Sequence, residues 1–413
     1  LSSSVFAREI TLDQAIQMSL ENSKEIKVSE KDVEVSKLKV GIAFKDALPS
    51  VVYNGTYTRG EYGRKMYKHG WEDQVERKGG YTQTISISQP LFQGGAVLGG
   101  IKGAKAYKSI ASLLYLGERR DTRLRTIQNY SNIVKYQKDL DALEASKKEL
   151  QARYNKQKAQ LDLRLITKTD LLKTEYSLLE VESQIIGTQN GITIEKENLK
   201  IKTGIPKNED VTVVEFEVPM YLSRNINFKA DLDQAMNESI NALVAKNYVE
   251  AAEASKIVSR ADMLPKVNVF ASYGTSERTK YNPTIDEAEW RGGVEVTWNV
   301  FEFGKNYDNY RVAAIGKEQE MLREKISKDS IDINVTDAYL ELIRMEKERD
   351  SKERAMEAAV ENFRMDQERY DAGLISTVDY LLSESQVREA TVAYNQIVID
   401  YLYAFEKYRS LLI

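Results

Sequence analysis

The chain has 413 residues, enough for two or three ordinary domains, with 59 basic and 63 acidic side chains and a formal net charge of −4. A slightly acidic chain does not bind nucleic acid through a basic surface, so no nucleic-acid partner is expected. There is no cysteine, and the one histidine is His69, in a Gly- and Lys-rich loop. Disulfides, thiolate zinc sites and thiol nucleophiles are therefore excluded, and we expect no catalytic site, metal or cofactor.

Residues 1–7, LSSSVFA, precede the first patterned segment. Val5 and Ala7 are small residues before a charged start, which resembles the end of a cleaved secretory signal. A disordered terminus fits these residues equally well. Farther along, no run of 18 apolar residues exists, so no transmembrane helix is expected.

The pattern then predicts one series of elements twice. The first series, 8–204, comprises a helix over 11–46, strands over 49–60 and 79–92, a long helix over 95–164 and a return helix over 168–203. A linker covers 205–230. The second series, 231–413, comprises a helix over 232–262, strands over 265–276 and 289–301, a long helix over 304–372 and a return helix over 376–411.

Similar segments indicate that the two series are an internal repeat. TLDQAIQMSLEN (11–22) resembles DLDQAMNESINA (231–242), and LITKTDLL (165–172) resembles LISTVDYL (374–381). The offset falls from 220 positions (232 − 12) at the first helix to 209 (301 − 92) at the strand ends, and is still 209 (379 − 170) beyond the long helix. The long helix is therefore predicted to have one length in both copies.

The long helices carry coiled-coil seams. Apolar residues recur at spacings of four and three, with one group at Ile331, Val335, Ala338, Leu342 and Met345 and another at Tyr136, Leu140, Leu143, Leu150 and Tyr154. A helix over 304–373 would extend roughly 100 Å. At the start of the first one, Gly95, Gly99 and Gly103 fall four apart, which favours close contact between helices over a phosphate-binding loop.

Each predicted strand has an apolar face with aromatic ends and a polar face. The aromatic residues that we expect to form a lipid-facing girdle are Tyr53, Tyr57, Tyr81, Tyr273, Trp290 and Trp298. The residues expected to line a wet lumen are Asn54, Thr56, Thr84, Ser86, Glu295 and Thr297. A soluble sandwich would also alternate, but strands of about ten residues with aromatic ends favour a membrane barrel.

Four strands in lipid would leave two open edges with unpaired amides and carbonyls. The sheet must therefore close on copies of itself, and three copies make a twelve-stranded barrel with room for water. The predicted fold class is an α+β membrane protein: a trimeric twelve-stranded β-barrel, four strands per chain, continuous with a long α-helical coiled-coil barrel.

Together these features resemble the TolC family of outer-membrane efflux channels. The resemblance rests on the LP pairs at 48–49 and 264–265, on QPLFQGG (89–95) and WNVFEFG (298–304), and on RYDAGLISTVDYL (369–381). It implies a homotrimer in outer-membrane lipid with a periplasmic extension, and a belt formed here by Pro206 to Lys229. It also implies a passive duct for efflux or type I secretion, served by an inner-membrane transporter and a periplasmic adaptor protein.

In that family, polar contacts at the helix turns close the periplasmic end. The matching positions are Tyr370, Asp379 and Asp170, whereas Ile375 and Leu382 depart from the family pattern and Arg164 stands where the second copy has Gly373. We expect Asp170, Asp379, Tyr370 and Arg164 to form the gate. The spacings Thr167 to Asp170 and Ser376 to Asp379 also fit capping boxes, so each aspartate could instead cap a helix.

A structural coiled-coil scaffold without a channel is the main alternative, but it gives the aromatic-ended strands no purpose. A helix-rich enzyme lacks any convergent set of catalytic groups. The sequence does not distinguish drugs, metals and polypeptides as cargo.

Overall fold

The structure is a computed structural model that describes residues 8–61, 65–67, 70–72, 77–275 and 288–413, with side chains outside 58–81. Residues 1–7 and His69 lie outside the described residues, as does the side chain of Tyr81. The described chain forms two compact units. The first comprises 8–32, 112–244 and 325–413, and the second comprises 33–111 and 245–324 as far as they are described.

The helices are α1 (Leu12–Asn22), α2 (Lys24–Lys45), α3 (Ala96–Asp162), α4 (Lys168–Thr203), α5 (Phe228–Glu238), α6 (Ile240–Ala261), α7 (Lys305–Asp371) and α8 (Thr377–Leu411). The strands are β1 (Arg8–Ile10), β2 (Ser50–Glu61), β3 (Lys65–Tyr67), β4 (Gly70–Glu72), β5 (Arg77–Gln93), β6 (Val211–Val213), β7 (Lys266–Gly274) and β8 (Glu289–Thr297). A short 3-10 helix spans Leu222–Asn225. No helix in the described part of the chain is both long and apolar enough to span a membrane.

The helices predicted over 11–46 and 232–262 are each two helices, because a serine interrupts them. Ser23 and Ser239 both have ψ in the extended range, at 130° and 152°. Each serine closes one helix through its backbone N–H, and its hydroxyl accepts the N–H of Ile26 or Ala242 in the next helix. A serine that caps two helices at once needs no glycine or proline, so the hydrophobic period gave no sign of the break.

The first helix of each series also aligns differently from the expectation. The caps Thr11 and Asn227 are 216 positions apart (227 − 11), and so are Ser23 and Ser239 (239 − 23), whereas the sequence comparison paired Leu12 with Leu232 at 220. The difference of four residues is about one helical turn, which keeps the same face inward. The helix caps therefore correspond at a different offset from that of the similar residues.

The long helices α3 and α7 each contain 67 residues. Their seams are buried as a heptad requires, with Leu143 and Leu150 in one cluster and Val335 and Ala338 in another. The seam of α7 continues past Leu342 into Glu346 and Arg349, which are buried as well.

The four longest strands form one antiparallel sheet in the second unit, in the order β2-β5-β7-β8. Its register aligns Tyr53, Ile85, Tyr273 and Trp290 in one row across all four strands. The neighbouring row contains Asn54 opposite Thr84. The residues of a row share one face of a sheet, so the register preserves the separation of apolar and polar residues that the alternation predicts.

Each long helix leaves the sheet through a left-handed turn. Gly94 and Gly95 have φ of 62° and 95°, and Phe303 and Gly304 have 47° and 84°. The strand predicted over 79–92 continues past Pro90 to Gln93, with a bulge between Pro90 and Phe92. Proline is tolerated there because β2 pairs with β5 only up to Ser88. β8 ends at Thr297 rather than 301.

The first unit is built around the segment between the two series. β6 in this segment pairs in parallel with β1, and both pack on a core that includes Ile133 and Leu199. Tyr130 is fully buried, and its hydroxyl lies 2.8 Å from the carbonyl oxygen of Ile10 and 2.7 Å from that of Val214. This pairing was not predicted from the sequence.

Gly99 allows α3 and α6 to approach closely within the second unit. A Cβ at Gly99 would lie 2.7 Å from Cγ2 of Val258 and 3.0 Å from the carbonyl oxygen of Ala254. The next residue, Gly100, has nothing within 4 Å of a Cβ. The two neighbouring glycines therefore differ in packing but share the same helix.

We expect Gly99→Ala to destabilise the protein by about 1–3 kcal/mol, because the added methyl group overpacks the contact. Gly100→Ala, the matched control, should stabilise it by up to about 1 kcal/mol through helix propensity. Thermal unfolding followed by circular dichroism in detergent measures both. Equal midpoints for the two variants would contradict the close helix contact.

Candidate functional site

The turns that join α3 to α4 and α7 to α8 have the same backbone motif. The N–H of Leu165 donates to the carbonyl of Gln160 at 2.9 Å, and that of Leu374 donates to Arg369 at 2.8 Å. These are six-residue closures of the kind that end a helix in a left-handed residue. That residue is Gly373, with φ of 72°, in one turn and Arg164, with φ of 59°, in the other.

Asp170 and Asp379 cap the helices that follow these turns. The carboxylate of Asp170 accepts the Thr167 N–H at 3.3 Å, and that of Asp379 accepts the Ser376 N–H at 3.2 Å. In each case the threonine or serine hydroxyl accepts the aspartate N–H in return, which completes a capping box. The hydrogen bonds from the Ser376 hydroxyl and N–H hold the pKa of Asp379 below its usual value.

The turns do not bring the four predicted gate residues together. Among the described residues, no hydrogen bond or ion pair joins Asp170, Asp379 or Arg164 to the opposite turn. Arg164 is exposed and makes no ion pair with another described residue. Its backbone adopts the left-handed conformation that ends the turn. Of these four residues, only Tyr370 contacts the opposite pair of helices: it lies in the α7–α8 hairpin and accepts a hydrogen bond from Gln157 in the α3–α4 hairpin.

A partly buried group that we call the tip cluster joins α3 to α7 and α8 just above the turns. Its members are Glu149, Arg153, Gln157, Tyr370, Asp371 and Tyr380. The Arg153 guanidinium donates to Asp371 at 2.7 Å and lies 4.9 Å from the ring centre of Tyr370 and 4.4 Å from that of Tyr380. Cation–π contacts of this kind are strongest where water is excluded, and Arg153 is only 5% exposed.

The remaining hydrogen bonds of the tip cluster join α3 to α7 and to α8. Gln157 donates to the Tyr370 hydroxyl at 2.8 Å, and the Tyr380 hydroxyl donates to Glu149 at 2.7 Å. Lys156 adds a second cation on Asp371 at 2.9 Å. The bonds from Lys156 and Arg153 hold the pKa of Asp371 below its usual value, whereas burial raises the pKa of the Tyr380 hydroxyl above its ordinary range.

Sequence reasoning missed Arg153, Gln157 and Tyr380. The signal was present, since Gln157 continues the heptad of Leu143 and Leu150 and is fully buried. Polar residues in phase with an apolar seam mark a place where a coiled coil exchanges stability for specific pairing.

In the sheet, the predicted girdle residues Tyr53, Tyr57, Tyr273, Trp290 and Trp298 are all largely exposed in the single chain. The first four lie on one face of the strands, whereas Trp298 lies beyond the end of β8 and donates to the Met263 carbonyl at 3.1 Å. The predicted lumen residues Asn54, Thr56, Thr84, Ser86 and Glu295 lie on the other face, and Thr297 is the last residue of β8.

An apolar-faced sheet that leads into long helices defines the class of outer-membrane channel proteins. The family model described as outer membrane efflux protein matches residues 15–204 and 232–412. This chain belongs to that family, and its place is the outer membrane, with an extension across the periplasm.

Individual relatives agree with this assignment. The alkaline protease secretion protein AprF of Pseudomonas aeruginosa is 22% identical over 417 residues, which cover 95% of this chain and 82% of that protein. The CmeC outer membrane channel of Campylobacter jejuni has the same fold, with a TM-score of 0.84 at 16% identity over 97% of this chain and 85% of that one. The open MtrE channel of Neisseria gonorrhoeae gives 0.76 at 15% identity, over 97% and 88%.

We expect Asp371→Asn to lower the thermal unfolding midpoint at neutral pH, because it removes the carboxylate that Arg153 and Lys156 share. The pKa of Asp371 is lower in the folded chain than its ordinary 3.8, so its stabilisation is complete above that value and is lost as the pH falls through the folded pKa. The difference between wild type and variant should therefore shrink below about pH 4.

Asp162→Asn is the control, because Asp162 is exposed at the end of α3. Its midpoint should follow that of wild type at every pH. A difference for Asp371→Asn that stays constant down to pH 2 would show that the ion pairs of Asp371 do not stabilise the turn.

Proposed function

We propose that the chain is the passive exit duct of a tripartite efflux or type I secretion system. Three copies would form a twelve-stranded barrel and a helical tube, and an inner-membrane transporter with a periplasmic adaptor would deliver the cargo. The observation that carries the proposal is the sheet, which has an exposed apolar face and, among the described strands, one unpaired edge on each of β2 and β8. Such edges are not tolerated in hydrocarbon, so the sheet closes only on further copies.

The helices of the second unit have the same two open flanks. Lys105 of α3 lies 5.3 Å from the ring centre of Phe44 in α2, and Gly99 of α3 lies against Val258 in α6. Lys317 of α7 pairs with Glu253 of α6 at 2.8 Å. These contacts give the order α2-α3-α6-α7, which follows the strand order. Exposed apolar residues remain on α2, at Val35, Leu38 and Ile42, and on α7, at Ile315 and Leu322.

In the first unit, α4 and α7 each keep an exposed apolar stripe. On α4 the stripe contains Leu179, Ile186, Ile194 and Ile201, and on α7 it contains Ile326, Ile333 and Leu340. Spacings of about seven residues are those of coiled-coil seams. Each unit by itself thus supports assembly through α7, which would pack on α2 of the next copy in the second unit and on α4 of the next copy in the first unit.

The paired elements support an origin by duplication. The helices α1 and α5 have 11 residues each, α2 and α6 have 22, and α3 and α7 have 67. The family model also matches two separate segments of similar size. We infer that repeats 8–204 and 231–413 descend from one unit and flank the belt at 205–230.

The gate that we propose combines the tip cluster with the two capping aspartates. The tip cluster fixes one hairpin against the other within a chain. Three copies would then bring six carboxylates, from Asp170 and Asp379, around one axis, where they favour cations. Opening would require the tip cluster of each chain to separate.

The assembly is testable by cross-linking, because the chain has no cysteine of its own. Three hydrogen bonds across the bundle relate the levels of α4 and α7: Asn132 to Glu195 at 3.1 Å, Arg123 to Glu406 at 2.6 Å and Tyr401 to Glu346 at 3.0 Å. Followed from helix to helix, they put Ile201 of α4 within about one helical turn of the level of Leu340 of α7. We expect Ile201→Cys combined with Leu340→Cys to give a covalent trimer with a short bismaleimide in native membranes. Each single variant is the control and should stay monomeric on a denaturing gel. A double variant that links only within one chain would contradict the pairing.

The function itself is tested by purification in detergent, mass measurement and conductance in planar bilayers. We expect the mass of three chains and a small closed-state current. Asp170→Ala with Asp379→Ala should raise the conductance and reduce the preference for cations, because it removes both caps and six charges. Asp170→Asn with Asp379→Asn, which keeps an oxygen acceptor for each cap, should reduce only the cation preference. A soluble monomer without conductance would instead favour the coiled-coil scaffold.

A further inference from the structure

The belt segment covers a cavity that the duct function does not use. The cavity, here called the belt cavity, lies within the first unit between residues 216–220 and the helices α3, α7 and α8, and has a volume of about 700 Å³. Its apolar wall is formed by Val134, Phe216, Val218, Pro219, Met220 and Val398. Cavities of this size and character are typical of sites for small organic molecules.

One charged residue in the wall has no counterion. Arg349 is 6% exposed, and its Nη1 donates to the carbonyl of Pro219 at 3.2 Å. Its Nε is buried and has no hydrogen-bond partner, which is also true of Nε in Arg153 and Arg388, and its guanidinium lies 5.4 Å from the ring centre of Tyr401. In the part of the chain that the structure describes, no carboxylate lies within ion-pair distance of this guanidinium.

The other two buried arginines of the described helices show what is missing. Arg153 pairs with Asp371 at 2.7 Å, and Arg388 lies 3.7 Å from a carboxylate oxygen of Glu384. Burying a guanidinium without an anion is unfavourable, because the lost hydration is not replaced. Arg349 therefore lacks the close carboxylate that Arg153 and Arg388 each have, although Glu346 and Glu353 lie three and four residues away on the same helix.

The remaining charges around the cavity favour an anion with a single charge. Lys135 in the wall is paired with Asp139 at 3.9 Å, and Lys138 is paired with Glu215 at 2.5 Å, which leaves Arg349 as the cation of the wall without an ion pair among the described residues. Glu353 accepts a hydrogen bond from the Tyr394 hydroxyl at 3.2 Å, and Glu217 is exposed at the rim. These two acids would repel a phosphate dianion more than a carboxylate.

We propose that the belt cavity binds a small aromatic carboxylate. The carboxylate accepts hydrogen bonds from Arg349, which matches the planar geometry of a guanidinium, and the ring lies against Phe216 and Tyr394. Occupation of the cavity holds residues 216–220 against α7 and α8. The site lies in the belt and needs neither a pore nor a pump, so it goes beyond the proposed function.

The test uses the full chain in lipid nanodiscs, with 1-naphthoate as the probe and isothermal titration calorimetry as the readout. We expect saturable binding to wild type and at least tenfold weaker binding to Arg349→Gln, as the loss of a charged hydrogen bond predicts. The neutral analogue 1-naphthalenemethanol should bind wild type and Arg349→Gln equally weakly. The matched control is Arg354→Gln, since Arg354 is exposed on the same helix, and it should bind like wild type.

A second variant keeps the test valid where Arg349→Gln does not fold. Val398→Phe fills the cavity from α8 and leaves Arg349 in place, and it should abolish the binding of 1-naphthoate. The proposal is overturned if naphthoate does not saturate, if the alcohol binds as well as the acid, or if neither Arg349→Gln nor Val398→Phe weakens binding. Conductance measured on the same samples reports on the duct separately.

Discussion

The unpaired sheet edge is the constraint on which the rest of this structure depends. Water satisfies exposed N–H and C=O groups at the edge of a soluble sheet, but hydrocarbon offers no such partner, and each unsatisfied group costs several kcal/mol. A sheet of four strands with an exposed apolar face is therefore an incomplete object. The helices share this property, because no described part of the chain covers the apolar stripes left exposed on α2, α4 and α7. Membership in the outer membrane efflux protein family gives the biological setting for this incompleteness.

The two series solve the same local problems with different residues. The left-handed position before each long helix is Gly94 in one series and Phe303 in the other, and the left-handed position after it is Arg164 in one and Gly373 in the other. A residue with a Cβ in this conformation costs about 1 kcal/mol relative to glycine. Each series thus carries one strained turn, and surrounding contacts must hold it in place.

Local patterns in the sequence were sufficient for much of the fold. Heptads such as Leu143 with Leu150 and alternation such as Tyr53 with Asn54 depend on neighbours in the chain, so their faces could be assigned. The breaks at Ser23 and Ser239 were missed because a serine cap leaves the apolar period unchanged.

Contacts between distant segments could not be predicted from these local patterns. The pairing of β1 with β6 joins residues about 200 positions apart, and Arg153 lies 218 positions from its partner Asp371. The capping boxes at Asp170 and Asp379 were foreseen, since both partners lie within one turn. The belt cavity could not be foreseen, because the isolation of Arg349 is visible only once every possible acid has a position.

The equal length of α3 and α7 restricts how this protein can change during evolution. Inserting one residue into either helix advances everything beyond it by about 1.5 Å and rotates it by about 100°, which turns a buried seam toward water. A surface loop accepts such an insertion at little cost. Within the 67-residue helices, only insertions of about seven residues, made in both copies, would keep every seam facing its partner. We therefore expect relatives to differ in the lengths of their loops, whereas the helices that correspond to α3 and α7 should remain equal in length to each other.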